Sequence, residues 1–291
     1  MFGGGAFAVF VAPLVKAITR RVDQRKEGKK LLPILAGDCT NDDSKSEGNT
    51  NRNANTTNTT HVIVPQLNLS GDRIDVRITP SYIHEVLCPI VVDVQKTLSS
   101  ADNNGRTVFI GIVGGSGSGK TTLSQLLVRC LNGLSIPAVA ISMDNYHFPN
   151  AHLDNTTHPH MKDDQGQPIK LRKVKGRSET IDSGRMLLDL KRIADRNNFG
   201  DQQCLMLPMY DRNLHDPVEN RLAVTWAHRV VIVEGLHLMK NLRMLDSGEC
   251  CCWGEIRNML DTLYYLRFDD CNLQKERVMQ RRMRGGISRE W

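Results

Sequence analysis

The sequence lacks the marks of several protein classes. It has no C-x-x-C pair, and its eight cysteines are spread over 291 residues. Cys39, Cys88, Cys130, Cys204 and Cys271 stand apart, and Cys250-Cys251-Cys252 has no further ligands at metal spacing. A disulfide scaffold and a cysteine metal centre are therefore not expected, and reduced thiols in an intracellular compartment are. The apolar stretch from Phe2 to Val15 is fourteen residues, where a stable membrane span needs about twenty. Its basic residues follow the apolar run, which is the reverse of a secretory signal. No acid precedes Asp23, as in a mitochondrial presequence, but the basic residues are not interleaved with apolar ones. The expected location is cytoplasmic, with mitochondrial as the alternative. Charge of one sign is missing from most of the chain. The net charge is +6. Residues 1–30 contribute +5 of it and the remaining 261 residues only +1. No nucleic-acid face is indicated in the body of the chain.

What is present has the composition of an ordinary soluble protein, with 40% hydrophobic and 24% charged residues, which excludes whole-chain disorder and a multi-span membrane protein. Residues 1–36 read as a targeting-like or loosely ordered segment. Residues 37–60 are dominated by Asn, Thr, Ser and Asp without an apolar period, so they are expected to form a disordered linker. Residues 61–291 are expected to form one domain. In it, DRIDVRIT (72–79) alternates as a half-exposed strand does, and residues 82–98 suggest a helix kinked at Pro89. The runs VFIGIV, AVAIS, CLML, VVIV and LYYLRF are short and apolar. Helical periods lie between several of them, at Leu123, Leu126, Leu127, Cys130, Leu131 and Leu134, and at Met186, Leu187, Leu190, Ile193 and Ala194. Buried strands alternating with helices predict a mainly parallel α/β sheet.

VFIGIV runs into Gly114-Gly115-Ser116-Gly117-Ser118-Gly119-Lys120-Thr121-Thr122. Gly114, Gly119, Lys120 and Thr121 fill G-x-x-x-x-G-K-[ST] between a strand and an amphipathic helix. Glycines let successive amides point at phosphate oxygens, and the helix adds its positive N-terminal end. Lys120 is placed to reach the β- and γ-phosphates and Thr121 to hold Mg²⁺. A guanine-reading N/T-K-x-D segment is absent, and Asp163-Asp164-Gln165-Gly166 has no strand before it. A GTPase is therefore not indicated.

Asp144 closes AVAISMD and Glu234 closes VVIVE. Carboxyl ends of parallel strands line the ligand crevice. Asp144 there suits a base for an attacking hydroxyl, and Glu234 suits the Mg²⁺ shell; each also suits a turn or strand-end cap. Tyr210, Asp211, Arg212 and His215 crowd one segment that could bind a polar small molecule or form a polar loop. Arg277, Arg281, Arg282 and Arg284 precede Gly285-Gly286; they read as a lid over transferring phosphate or as a solvated basic helix.

GIVGGSGSGKTT, ISMDNYHFPNAHLD, KGRSETIDSGRMLLDLKRI, LPMYDRNLHDPVEN and VVIVEGLHLM follow one another in order. Together they resemble the phosphoribulokinase/uridine kinase family, which also holds the bacterial-type pantothenate kinases. M-D-x-[FY]-H-[FY]-P-N and Y-D-R-x-L-H-D-P-V look closest to its nucleoside/nucleotide-kinase-like and fructokinase-like members. The resemblance spans about residues 72–291. It implies a P-loop nucleoside triphosphate hydrolase fold with a parallel five-stranded core and an Arg-rich lid, and ATP-dependent phosphorylation of a hydroxyl on a small metabolite. Asp144 matches the family's general base. Tyr210 and His215, with Arg212 between them, match the acceptor-contacting segment. Asp182 matches the Asp of an F-D pair near the substrate, here Ile181-Asp182. Glu234 matches the acid after a core strand, and Arg281 and Arg282 match the lid arginines. ATP and Mg²⁺ are the implied cofactors, and a small alcohol the implied partner.

Two features depart from the pattern. Where uridine kinases read R-R-x-x-R-D, this chain reads Arg281-Arg282-Met283-Arg284-Gly285-Gly286, which points away from uridine. Family members continue past the lid with a helix and strand that help hold adenine. This chain stops at Trp291, so a shortened domain or a differently built adenine site is expected. The competing reading is an assembly or regulatory ATPase without a small-molecule acceptor.

Overall fold

The computed structural model describes residues 10–11, 24–36, 61–69, 72–102, 105–195, 204–240 and 252–267, with a few more between 272 and 279. In chain order, β1 (Phe10–Val11) and helix α1 (Gln24–Ala36) precede a hairpin of β2 (Val62–Leu69) and β3 (Asp72–Ile78). A continuous helical stretch follows, made of α2 (Pro80–Tyr82), a π-helical turn (Ile83–Leu87) and α3 (Cys88–Asp102). Then come β4 (Val108–Gly114), α4 (Lys120–Gly133), β5 (Ala138–Ser142), α5 (Asn150–Asn155), the hairpin β6 (Thr157–Lys162) with β7 (Pro168–Lys170), and α6 (Ser183–Ala194). The hairpin β8 (Cys204–Asp211) with β9 (Asp216–Thr225), β10 (Val230–Gly235), α7 (Trp253–Asn258) and β11 (Thr262–Arg267) complete the described elements.

The central sheet has the order β1-β11-β4-β10-β5. Its four long strands are parallel, and β1 adds antiparallel to β11. The fold is the α/β P-loop type, but the parallel core has four strands among the described residues rather than the expected five. CLML, expected in that core, instead starts β8, which among the described residues pairs with β9 alone. A short apolar run carries no information on which partner it will find.

Both faces of the sheet are covered, so β4 and β10 are buried at every position. Along these two strands the side chains alternate between two cores. Ile110, Ile112, Val230 and Ile232 face α4, α3 and α1. Phe109, Val113, Val231 and Val233 face α6, α7 and the β8–β9 hairpin. The helical periods hold: Leu123, Leu126, Leu127, Cys130 and Leu131 are buried on α4, and Met186, Leu187, Leu190 and Ile193 on α6. Ala194 is exposed.

Pro89 has no N–H to give to the carbonyl four residues back, and the backbone widens ahead of it. The expected kink is a π turn in which Cys88 N donates to Ile83 O. The strand β2 has no clear signature in the sequence, because Pro65 interrupts its pattern and a bulge with Gln66 at φ 52° follows. The expectation of loose order across residues 1–36 fails for residues 24–36. They form α1, and Leu31 and Leu35 are fully buried against the α4 side of the sheet. The linker 37–60 and most of residues 1–23 lie outside the described residues.

Candidate active site

The loop after β4 owes its shape to glycine. Gly117 and Gly119 adopt φ of 76° and 90°, a region that side-chain-bearing residues avoid. A Cβ at Gly114 would sit 2.5 Å from the Leu266 carbonyl. Lys120 starts α4, and its Nζ donates to Gly115 O at 3.1 Å, folding back over the loop. Ser116 O accepts from Gln274 Nε2 at 3.1 Å, so the segment that leads to the arginine-rich stretch touches the loop. Ser118 Oγ is buried without a hydrogen-bond partner among the described residues. Such a donor in a phosphate loop suits an anion.

The acids follow from strand register. Glu234 continues the row Val230, Ile232 that faces α4, and it pairs in register with Ser142 of β5. It therefore meets the first turn of α4, where Thr121 Oγ1 donates to Glu234 Oε1 at 2.9 Å. Glu234 is only 3% exposed. Burial raises its pKa, and the Asp144 charge raises it further, against Lys120 and the hydroxyls of Ser142 and Thr121. Two hydroxyls and a buried carboxylate form a hard oxygen set that fits Mg²⁺. Among the described residues no group of three or more His, Cys, Asp or Glu could hold a metal by itself.

Asp144 lies two residues beyond β5 in a short 3₁₀ turn (Met143–Tyr146), with Ser142 Oγ accepting from its amide at 3.2 Å. Its charge acts on Glu234, His147, His237 and Lys175. Burial lowers the pKa of His147, partly offset by Asp144. His147 Nδ1 donates to the Asp144 carbonyl at 2.9 Å, which leaves Nε2 as the acceptor. His237 is likewise lowered by burial and contacts Gly176 O at 3.0 Å.

Tyr210, Arg212 and His215 arrive on the β8–β9 hairpin. Tyr210 N donates to the buried Asn145 Oδ1 at 3.0 Å, which fixes the hairpin beside Asp144. The Tyr210 ring lies 5.4 Å from His147 and 5.1 Å from Lys175 Nζ. Lys175 donates to Asn150 Oδ1 at 2.7 Å and to His215 O at 2.6 Å. It lies 3.9 Å from Asp216 Oδ1, which itself accepts from Asn150 N at 2.9 Å. His215 is exposed, with φ 51°, and Arg212 is half-buried beside it. A cavity of about 160 Å³ opens against Thr121, Ser142, Asn145 and Glu234.

The structure thus brings Lys120, Thr121, Glu234 and Asp144 together and sets Tyr210 against His147 near Asp144. Asp182 caps α6, its Oδ1 accepting from Arg185 N at 2.9 Å. Arg277, Arg281, Arg282 and Arg284 lie outside the described residues. Asp163 and Gly166 form the β6–β7 turn, with Asp163 Oδ1 accepting from the Gln165 and Gln167 amides. Sequence reasoning missed Ser142, Asn145, His147, Lys175 and Gln274. Ser142 and Asn145 flank Asp144 and were findable by position. Lys175 opens the KGRSETIDSGR segment, but its contacts were not readable there, because its partners come from distant segments.

The sequence model of the Phosphoribulokinase / Uridine kinase family matches residues 109–285, more than half of the chain. The uncharacterized protein YggC of Escherichia coli (strain K12) is 28% identical over 227 residues, covering 77% of this chain and 82% of that protein. A protein named uridine kinase from Clostridium perfringens (strain SM101 / Type A) is 26% identical over 164 residues, 56% of this chain and 63% of its own. A crystal structure from Silicibacter sp. TM1040, provisionally assigned as a fructose transport system kinase, covers 68% of this chain and 84% of its own at 22% identity, with a TM-score of 0.52. The structural likeness bears on fold alone.

Proposed function

The chain belongs to the phosphoribulokinase/uridine kinase family of P-loop kinases, and from that premise we propose that it transfers the γ-phosphate of ATP to a hydroxyl of a small metabolite. The observation that carries the reading is the Thr121–Glu234 pair, 2.9 Å apart at the foot of the phosphate loop with Asp144 beside it.

In this reading Gly114–Thr122 grips the triphosphate through backbone amides and Lys120. Thr121 and Glu234 would hold Mg²⁺, which would supply positive charge against the phosphates. Asp144 orients the acceptor hydroxyl and takes its proton as the oxygen attacks phosphorus. Tyr210, Arg212 and His215 contact the acceptor, and Arg281 and Arg282 supply positive charge to the transferring group. Asp182 acts there by capping α6, next to the strand-like bridge between Ile181 and His147. Catalysis is mostly positioning and charge stabilisation.

The test is ADP release by the full chain with Mg-ATP and a panel of nucleosides, sugars and vitamin-like alcohols, run beside Asp144→Asn. The expected result is one compound that raises turnover well above the water rate, a gain the variant loses. Full transfer in Asp144→Asn sinks the base assignment. Turnover that ignores every compound favours an ATPase without a small acceptor.

A further inference from the structure

The cavity beside Glu234 does not end at Glu234. Thr121, Ser124, Gln125 and Val128 line it from α4, and their i, i+3, i+4, i+7 spacing puts them on one helix face. From Thr121 to Val128 that face runs about 10 Å. Ser142, Ala140 and Ala138 line it from β5, and Met209 and Leu222 from the β8–β9 hairpin. Among the described strands β5 is an edge of the central sheet. The cavity of about 160 Å³ is therefore a groove along that edge, leading from Thr121 and Glu234 toward the start of β5.

The floor of the groove is backbone. Residues of a parallel strand turn alternately to one neighbour and the other. Pro137 O accepts from Val230 N at 3.2 Å, so the odd-numbered residues of β5 face β10 and the even-numbered ones face outward. Ala138 is outward, and Asn132 satisfies it twice. Ala138 N donates to Asn132 Oδ1 at 2.7 Å, and Asn132 Nδ2 donates to Ala138 O at 3.3 Å. Ala140 is the next outward residue. Its N–H and C=O have no protein partner among the described residues.

The walls carry unspent polar groups as well. Asn145 is only 5% exposed. Its Oδ1 accepts from Tyr210 N, and its Nδ2 makes no hydrogen bond among the described residues. The half-buried Gln125 side chain makes none either. Val128, Met209 and Leu222 supply apolar contact between them. A backbone donor and acceptor between apolar sides suit an extended, peptide-like chain. Main-chain bonds hold such a chain and the sides take its methylenes.

We propose that this groove holds the body of the acceptor, and that the acceptor is an extended alcohol carrying an amino-acid-like unit. That unit has an N–H and a C=O on the two sides of one carbon. Its N–H donates to Ala140 O and its C=O accepts from Ala140 N, as an added strand does. Ala140 lies two residues before Ser142, about 7 Å along the strand, and Ser142 stands level with Glu234. The hydroxyl and the unit are therefore about 7 Å apart. The proposal rests on the reading of the site as a kinase site and names the substrate class for it.

The probes are N-(4-hydroxybutanoyl)glycine methylamide and its analogue with ester oxygen in place of the glycine N–H. Binding of each to the full chain is measured by calorimetric titration, and label transfer from ATP to the hydroxyl is followed beside it. The amide is expected to bind about tenfold tighter, because the ester sets an oxygen against Ala140 O, and to accept the label. Equal affinities, or no binding of either probe, overturn the proposal. Label passed to a compact sugar or nucleoside while neither probe binds overturns the groove and leaves the kinase reading standing. Label found only as inorganic phosphate with every alcohol overturns both.

Two variants test the protein side. Ala140→Pro removes the outward N–H and leaves the bonds to β10 in place. It is expected to weaken both probes about threefold to tenfold with the Kd for ATP unchanged. Leu222→Trp fills the groove from the hairpin and decides the matter if proline disturbs β5. Loss of both probes with ATP binding retained is expected, and undiminished probe binding in Leu222→Trp contradicts the placement.

Discussion

On the proposed function, the phosphate side and the acceptor side of the site are built in opposite ways. The phosphate side is contiguous: nine residues, Gly114–Thr122, run from the end of β4 into α4, shaped by glycine and tied at long range by Thr121 to Glu234 and by Gln274 to Ser116 O. The acceptor side is assembled from distant pieces. Asp144 follows β5, Lys175 precedes the α6 cap, Tyr210 and His215 ride on the β8–β9 hairpin, and His237 follows β10. Side-chain ties hold these pieces in place, chiefly Asn145 to Tyr210 N and Lys175 to Asn150 and His215 O. Backbone geometry therefore sets the first half, and a handful of replaceable side chains sets the second. Nucleotide binding should be hard to disturb from a distance, and acceptor binding easy.

The largest effect expected on this contrast comes from Lys120→Ala. Removing a preorganised charge from a transfer site costs about 10²–10³-fold in turnover. Thermal unfolding should hardly change, because Lys120 is half-buried and ties only to Gly115 O among the described residues. An unfolding midpoint that collapses with activity would show that the lysine holds the loop rather than the phosphate.

Lys175→Met is the matching break on the acceptor side. It leaves the Asn150 and His215 ties unmade, and the expected cost is about tenfold in acceptor KM, near 1.4 kcal/mol, a typical charged hydrogen-bond loss. The Kd for ATP should not move. Equal losses for both ligands would erase the distinction between the two halves. Lys175→Arg, which keeps the donors, should recover part of the loss.

Glu234 sharpens the comparison through pH. Burial raises its folded-state pKa above that of the unfolded chain. Its contribution to stability is therefore fully present below the unfolded value of 4.5 and is lost as pH rises through the folded value. Glu234→Gln should flatten that decline in denaturant titrations. The same variant should abolish the rise in Mg²⁺ affinity with pH that deprotonation of Glu234 brings to the native protein.

The smallest effect separates capping from charge at one residue. Asp182→Ala should cost about 1 kcal/mol of stability through loss of the α6 cap. Asp182→Asn keeps the cap and removes the charge. If Asn restores stability and acceptor KM together, the residue acts as a cap alone. A KM that stays high would show its charge reaching the acceptor.

The same contrast explains what the sequence made legible. The phosphate loop, α4, α6, β4, β5, β10 and β11 were readable because each rests on a local period or motif. Glu234 was readable as a strand-end acid, but its partner Thr121 follows only from the register of β10 against β4 and β5. The partner of β8 was not readable, because CLML looks like any buried strand until β9 pairs with it. α1 was hidden behind its basic charge, although Leu31 and Leu35 carry the contact. Lys175 shows the limit most clearly. Its three partners sit 25 to 41 positions away, and no window of sequence contains them.

The central claim is that Asp144 delivers an acceptor hydroxyl to the γ-phosphate of ATP. The direct measurement is the fate of a label on that phosphate, followed in the full chain and in Asp144→Asn with the same acceptor panel. The account predicts label on one alcohol, formed by the native chain and suppressed about 10²–10⁴-fold in the variant, the range for loss of a general base. Label recovered only as inorganic phosphate for every compound, at equal rates in both proteins, would contradict it.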